Sequence, residues 1–115
     1  MNNIKISFPS GYQVNDLMND NIDLHVILER EVYFLTLFTI ENIRYLMDNE
    51  SDTELNLYFS ASNMVIIADL ELSTILRVIK DMYVKGLFLN DTFKIGDYDS
   101  IYGISSKEDE FIAVP

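Results

Sequence analysis

Two neighbouring apolar segments constrain the fold most, NIDLHVIL at 21–28 and VYFLTLFT at 32–39. The first alternates apolar with mostly polar residues, the period of a strand that buries one face. The second is rich in aromatic and β-branched residues and is apolar on both faces, which is typical of a strand in the middle of a sheet that is at least partly covered on each side. A polar break at 29–31 separates them. The sequence therefore predicts two strands, the second of them central in its sheet.

Two helices are predicted from periodicity and capping. The segment TIENIRYLMDN at 39–49 has Thr39 as an N-cap and apolar residues at helical spacing, and we expect this helix to end near Asn49. The segment STILRVIKDMYVKG at 73–86 begins with Ser73 as a cap and ends at Gly86, a residue type that commonly terminates helices.

The rest of the chain predicts short strands joined by turns. Residues 55–59 and 64–68 fit two strands around a Ser-Ala-Ser-Asn turn, and residues 87–95 fit a hairpin around Asn90 and Asp91. FIAV at 111–114 fits one more short strand. The order predicts a single α+β domain over residues 1–115, with a mainly antiparallel sheet of about five to six strands and two helices packed on it.

Charge narrows the classes of partner. The chain has nineteen acidic and eight basic residues, a net charge of −11. Phosphate backbones would repel such a surface, so we expect no direct binding to nucleic acid, whereas a basic protein would be attracted and would associate faster. Many acidic proteins carry such charge for solubility alone, and that alternative stays open.

Targeting and redox signals are few. The start of the chain lacks a basic cluster followed by an apolar run, and the longest apolar run, at 32–40, is too short for a membrane helix. Cysteine is absent, which excludes disulfides, thiolate metal sites and cysteine nucleophiles. A cytoplasmic protein without membrane contact is the expectation.

The stretch DNESDTE carries an acid at every second position: Asp48, Glu50, Asp52 and Glu54. A calcium loop needs glycine at its sixth position and glutamate at its twelfth, and counting from Asp48 these positions hold Thr53 and Phe59. A solvated turn and a docking surface both remain. Acids at the C-terminal end of a helix cost about 0.3–1 kcal/mol each at exposed sites, which favours a role outside the fold.

No set of catalytic residues is recognisable. His25, the single histidine, lies in the middle of a predicted strand without a nucleophile and acid to complete a triad, and the four glycines are too scattered for a phosphate loop. We therefore predict no enzyme activity and no cofactor. In GDYDSIYG, Asp97 and Asp99 bracket Tyr98, with Tyr102 following. Aromatic residues among carboxylates are common where proteins dock, although these tyrosines can equally pack over the sheet edge.

The segments LFTIENIRYLM and YFSASNMVIIADL resemble a family of small bacterial proteins in which an apolar strand ending in Thr runs into a Leu/Ile-Glu-Asn-Ile helix, followed by a Tyr-Phe-x-Ala-Ser-Asp/Asn-Met strand pair. The resemblance covers about residues 21–86. The chain departs from the pattern at Ser60, where the family has Trp, at Ala68, where it has a basic residue, and at 29–31, where it has an Asp-Gly turn. Proteins of this size and charge are similar to the immunity proteins of bacterial polymorphic-toxin and contact-dependent growth-inhibition systems.

That resemblance implies a function. Such an immunity protein binds a sibling toxin domain, often a nuclease and hence basic, and blocks its active site. The residues predicted to bind the partner are the acids and tyrosines of the two stretches above: Asp48, Glu50, Asp52, Glu54, Asp97, Tyr98, Asp99 and Tyr102. The alternative is a non-enzymatic structural or regulatory interaction module, including a homodimer that pairs through exposed sheet edges.

Overall fold

A mixed sheet is the frame of the protein in the computed structural model, which describes residues 3–50, 58–103 and 110–115. Six strands are found in these ranges: β1 (Ile4–Ser7), β2 (Asn21–Leu28), β3 (Glu31–Thr39), β4 (Met64–Ile67), β5 (Lys94–Asp97) and β6 (Ile112–Ala113). The helices there are α1 (Ile40–Tyr45), which continues into one π-helical turn (Leu46–Glu50), α2 (Leu72–Val84) and α3 (Tyr98–Tyr102). The predicted α+β class is confirmed.

Most pairings in the sheet are antiparallel. The strand order is β4-β3-β2-β1-β6, and β5 pairs with the first half of β3 on the side where β4 pairs with the second half. Only the β3–β4 pair, which is joined through α1, is parallel among these strands. Strand β3 therefore has neighbours on both sides, which confirms the central position predicted from its two apolar faces.

One face of the sheet packs against α2 and holds the main core. The alternating residues Ile22, Leu24 and Val26 of β2 are buried there, as the period-two pattern predicts. Ile75 and Ile79 of α2 are completely buried against them. Burial of this apolar face is what holds the helix on the sheet.

The opposite face is mixed in character. A smaller cluster of Ile27, Val32 and Tyr98 forms where α3 lies on the sheet, with Tyr102 and Phe111 at its margin. Further along, His25 pairs with Phe34 and Asp23 with Thr36 across β2 and β3. These four residues are only partly buried.

Predicted helix ends agree with the structure in part. Thr39 caps α1 as predicted, because its hydroxyl accepts a hydrogen bond from the backbone N–H of Asn42 at 3.2 Å. The α-helical part ends at Tyr45, and a π-helical turn then continues to Glu50. The helical segment therefore extends to the predicted end near Asn49, but its last turn is π-helical. The predicted cap of α2 is wrong: the N-cap is Glu71, and Ser73 lies inside the first turn.

Two of the predicted strand regions, at 87–95 and at 55–59, differ from the structure within the described residues. The hairpin around Asn90 and Asp91 is absent, since residues 87–93 form turns and Lys94–Asp97 then pairs with β3. The stretch GDYDSIYG contributes the end of β5 and all of α3, for which the sequence predicts no helix. Residues 58 and 59 are not in a strand, and the rest of the strand predicted at 55–59 lies outside the described residues.

Strand β1 was not predicted, because IKIS offers only two apolar positions before Pro9 and Gly11. It forms because Ile4 and Ile6 extend the apolar face of β2 into the core. No helix within the described ranges is long and apolar enough to cross a membrane.

Candidate functional site

The first predicted acidic stretch lies only partly within the described residues. Asp48 is exposed on the π-helical turn that follows α1, and Glu50 is the last residue of that turn. Asp52 and Glu54 lie outside the described residues. In the ranges that the structure describes, no group of three or more His, Asp or Glu side chains is arranged to hold a metal ion.

The acids of the second predicted stretch already have partners within the chain. Asp97 is the N-cap of α3, and its carboxylate accepts a hydrogen bond from the N–H of Ser100 at 2.7 Å. That bond holds the pKa of Asp97 below its usual value. Asp99 forms an ion pair with Arg30, whose guanidinium lies over the ring of Tyr98, 4.8 Å from its centroid.

The two tyrosines of this stretch pack on the sheet. Tyr98 is only 5% exposed and belongs to the cluster with Ile27 and Val32. Its ring therefore offers almost no surface to a partner in this conformation. Tyr102 is half-buried, and its hydroxyl lies 2.6 Å from Nδ1 of His25. The prediction that Asp97, Tyr98, Asp99 and Tyr102 bind a partner stays a prediction.

His25 has the contacts of a packing residue. Its ring meets Phe34 edge to face at 6.0 Å between centroids, and its Nδ1 is paired with the Tyr102 hydroxyl. Burial lowers the pKa of His25, and the charge of Asp23 opposes this effect. The neutral imidazole therefore prevails at neutral pH and links β2 to α3.

A different surface forms where the loop between β1 and β2 meets the start of α2. Leu70, which is completely buried, donates its N–H to the carbonyl of Leu17 at 2.9 Å. The hydroxyl of Tyr12, 58 positions away in the chain, donates to the carbonyl of Leu70 at 2.5 Å. These two bonds hold the loop against the residues that precede α2.

Apolar and acidic side chains meet on this surface. Tyr12 and Leu17 are each 41% exposed and Met18 is 48% exposed, although all three are large and apolar in character. Carboxylates flank them in sequence and in space. We call these residues the acidic loop surface: Tyr12, Asp16, Leu17, Met18, Asp69 and Glu71.

Two of the three acids of the acidic loop surface accept backbone hydrogen bonds, and none of the three is neutralised by a cation of the described residues. Asp16 accepts a hydrogen bond from the N–H of Met18, and Asp69 accepts one from the N–H of Glu71, both at 2.9 Å. No lysine or arginine of the described residues forms an ion pair with Asp16, Asp69 or Glu71. Burial, and then the charges of Glu71 and Asp69, raise the pKa of the Tyr12 hydroxyl. Its proton therefore stays on, and the bond to Leu70 persists at neutral pH.

Sequence reasoning missed this surface because it joins two segments that are distant in the chain. The local signal was present in NDLMND at 15–20, where two large apolar residues stand among acids in a loop. Exposed apolar side chains with a charged rim are typical of protein-binding surfaces. Comparison with protein-family models, with curated proteins and with solved structures found no match to this chain.

Proposed function

We propose that the protein is an immunity protein that binds a basic toxin domain through the acidic loop surface and occludes the active site of that toxin. The observation that carries the proposal is a set of three exposed apolar side chains among carboxylates that have no cationic partner in the described residues. The protein would act in the cytoplasm, where such a toxin meets its target, and would bind without catalysing a reaction.

Electrostatics supports this type of partner. A toxin that cleaves nucleic acid needs a basic cleft, because the cleft has to hold phosphates. A chain with a net charge of −11 attracts such a cleft over a distance comparable to the Debye length. Opposite charges raise the association rate, which matters for a protein that has to capture a toxin before the toxin acts.

Affinity would come from the apolar side chains. Leu17, Met18 and the ring of Tyr12 supply area that a partner can remove from water, and such central residues carry most of the energy in protein interfaces. Methionine adapts its shape to the partner surface. The hydrogen bonds to Leu70 hold the loop before binding, so little conformational entropy is lost on association.

The proposal predicts that a toxin domain is encoded immediately upstream of this gene, and the direct test uses that domain. Association and dissociation rates are measured over a series of salt concentrations, and the activity of the toxin is assayed with and without the protein. We expect tight binding at low salt, a slower association at high salt, and inhibition at one protein per toxin. Absence of binding at low salt, or binding without inhibition, contradicts the proposed function.

A triple variant locates the surface. Asp16→Asn, Asp69→Asn and Glu71→Gln remove three charges, and the two asparagines still accept the backbone hydrogen bonds of the aspartates. We expect association to slow roughly tenfold at low salt. The matched control removes the same charge elsewhere, with Glu41→Gln, Asp48→Asn and Asp91→Asn, all exposed positions.

The control also separates the two acidic regions, since Asp48 belongs to the stretch first predicted to bind a partner. If the control slows association as much as the triple variant does, net charge and not the acidic loop surface governs capture. Inhibition that persists in both variants with unchanged rates contradicts the placement of the interface but not the function.

A further inference from the structure

One side of α2, together with Pro115, lines a groove with a volume of about 720 Å³, which we call the α2 groove. Charged side chains of the helix, Arg77, Lys80 and Asp81, contribute to its lining, and so do four apolar ones: Leu76, Val78, Met82 and Val84. Val84 is 69% exposed, although its side chain is apolar. Apolar surface of this kind is stabilised when a partner removes it from water.

The charge of this segment is opposite in sign to that of the chain. Residues 77–85 contain three basic residues and one acid, and hence carry a net charge of +2, in a chain whose net charge is −11. The one acid, Asp81, pairs with Lys85 at 2.8 Å. Arg77 and Lys80 form no ion pair within the residues that the structure describes. The α2 groove therefore presents two cations whose charge the chain does not balance locally.

Arg77 and Lys80 are also neighbours on the helix surface. Residues three positions apart on an α-helix lie side by side, so these two like charges repel each other. Both residues are exposed and thus accessible to a partner. A carboxylate that approaches both would offset the repulsion and accept charge-assisted hydrogen bonds. The pair favours an anionic partner group over a neutral one.

We propose that the α2 groove binds an acidic amphipathic helix of another protein. The apolar side of that helix would cover Leu76, Val78 and Val84, and glutamate or aspartate side chains at its margin would meet Arg77 and Lys80. An amphipathic helix that lays its apolar face into a groove is a common mode of recognition. Helix α2 has 13 residues and is about 20 Å long, so it can support roughly three and a half turns of a partner helix.

Two other occupants fit the charges less well. An anionic membrane is a broad plane, which would bring many of the nineteen acids of the chain close to negative lipid headgroups. A second copy of this chain, bound through the same groove, would place the unpaired cations of one copy against those of the other. A single acidic helix is narrow enough to reach Arg77 and Lys80 without either conflict.

This inference does not depend on the proposed function. The α2 groove shares no residue with the acidic loop surface, and a basic toxin would be repelled by Arg77 and Lys80. The two surfaces therefore take partners of opposite charge. Either proposal can fail without affecting the other, and the toxin assay and the peptide titration below distinguish them.

The test is an NMR titration of the full, isotope-labelled chain with a helical probe peptide. The probe has about fifteen residues, with leucine at every third or fourth position and glutamate on both sides of the leucine stripe. Salt is kept at about 0.15 M, where exposed charges more than about 8 Å away are largely screened, so that the acids elsewhere on the chain repel the probe little. We expect saturable shifts of the backbone amides of residues 74–85. Shifts centred on another region, or no saturable shift at millimolar probe, overturn the inference.

A second probe, with glutamine in place of every glutamate, shows whether charge selects the partner. We expect it to bind roughly fivefold more weakly, the size of effect that two exposed ion pairs produce. Equal affinity of the two probes overturns the choice of an acidic partner.

The other occupants are tested on the same protein. The chain is mixed with vesicles of phosphatidylserine and phosphatidylcholine, and the free chain is sedimented over a range of concentrations. Vesicle binding that the glutamate probe reverses, or a dimer that this probe dissociates, assigns the α2 groove to a membrane or to a second copy and overturns the proposal. A monomer that does not bind the vesicles supports it.

Arg77→Gln tests the cation in the groove, and Arg44→Gln is its matched control. Arg44 is also an exposed arginine on a helix without an ion pair in the described ranges, but it lies on α1. We expect Arg77→Gln to weaken binding of the glutamate probe about threefold and to leave the glutamine probe unaffected. Arg44→Gln should change neither affinity. Equal effects of the two variants assign the loss to net charge and overturn the role of the groove.

Val84→Glu tests the apolar part of the groove, because it removes apolar surface and adds an acid that repels the glutamate probe. We expect binding to weaken roughly tenfold. Ile40→Glu makes the same kind of change at a residue that is 59% exposed at the start of α1, and should bind the probe normally. Circular dichroism and thermal unfolding show that both variants are folded. An equal loss in the two variants, or none in Val84→Glu, contradicts docking in the α2 groove.

Discussion

Two regions of the molecule contain the same kinds of residue and use them differently. Four residues at α3, which we call the α3 group, combine tyrosine and aspartate: Asp97, Tyr98, Asp99 and Tyr102. Here the carboxylates cap the helix or pair with Arg30, and the rings pack on the sheet. On the acidic loop surface the carboxylates have no cationic partner in the described residues, and the apolar side chains are exposed.

The difference shows that composition alone does not determine which side chains of an acidic and aromatic stretch remain exposed and unpaired. Aromatic residues beside acids are available to a partner only if the chain itself does not already satisfy them. Asp97 and Asp99 would have to give up a cap or an ion pair to bind another protein. The carboxylates of Asp16 and Asp69 would keep the backbone hydrogen bonds that they accept, and Glu71 would give up no bond of its side chain, so all three would gain a cation without a loss.

The largest expected effect is a loss of stability when the ring of Tyr98 is removed from the α3 group. Tyr98→Ala removes a ring that is only 5% exposed, so we expect the free energy of unfolding to fall by about 3 kcal/mol. Urea denaturation measures this loss. Ile101→Ala on the same helix, where the side chain is 37% exposed, is the control and should cost less than about 1 kcal/mol. Equal losses in the two variants contradict the packing of α3 on the sheet.

Much of the fold was predictable because its signals are local. The alternation in β2, the two apolar faces of β3 and the Thr39 cap each depend on residues within one segment. The wrong predictions lie where a distant contact decides. Residues 94–97 pair with β3 and not with the preceding residues, because the carbonyl of Phe93 accepts a hydrogen bond from Phe34 and thereby sets the chain beside that strand.

The sequence shows which residue types occur in the two regions, but not which of these side chains are buried and which are exposed. GDYDSIYG was recognised as aromatic and acidic, yet its burial follows from the approach of Arg30 and Val32, which no local pattern shows. The acidic loop surface exists because Leu70 bonds to Leu17 and to Tyr12. A sequence read segment by segment does not reveal such a junction.

Two exposed apolar side chains test the acidic loop surface as the interface. Leu17→Ser with Met18→Ser should weaken binding to the toxin domain about a hundredfold, close to 3 kcal/mol, mainly through faster dissociation. Both side chains are well exposed, so the free energy of unfolding should change by no more than about 0.5 kcal/mol per residue.

Leu89→Ser is the matched control, since Leu89 is 86% exposed and lies outside the acidic loop surface. Binding kinetics should be unchanged in this variant. A similar loss of affinity in the control, or no loss in the double variant, removes the acidic loop surface as the interface.

A smaller effect is expected for the bond that fixes the loop. Tyr12→Phe deletes the hydroxyl that donates to the carbonyl of Leu70, and the free energy of unfolding should fall by about 1 kcal/mol. Tyr45→Phe, at a tyrosine of similar exposure on α1, should change it by less than about 0.5 kcal/mol. Thermal and urea unfolding of both variants measure the difference, and equal stability of the two contradicts a structural role for the Tyr12 hydroxyl.

The smallest expected effect is a dependence on pH at His25 of β2, whose ring bonds to Tyr102 of the α3 group. Burial lowers the pKa of His25 below its ordinary value of 6.5, so the unfolded chain takes up a proton at a higher pH than the folded chain does. The stability that neutral His25 contributes is therefore complete above the unfolded pKa and is lost as the pH falls through the folded one. Tyr102, Phe34 and Asp23 surround the ring, and the carboxylate of Asp23 limits the shift.

His25→Gln isolates this effect from the titration of the many carboxylates. The free energies of unfolding of the wild type and of His25→Gln are measured by urea denaturation at about pH 7.5 and about pH 5. The difference between the two proteins at each pH gives the contribution of His25. We expect wild-type stability to fall more than that of His25→Gln between these values. The same fall in both proteins means that His25 is not buried as a neutral side chain. The acidic loop surface contains no histidine, so its triple variant, which retains His25, should follow the wild-type pH profile near neutrality.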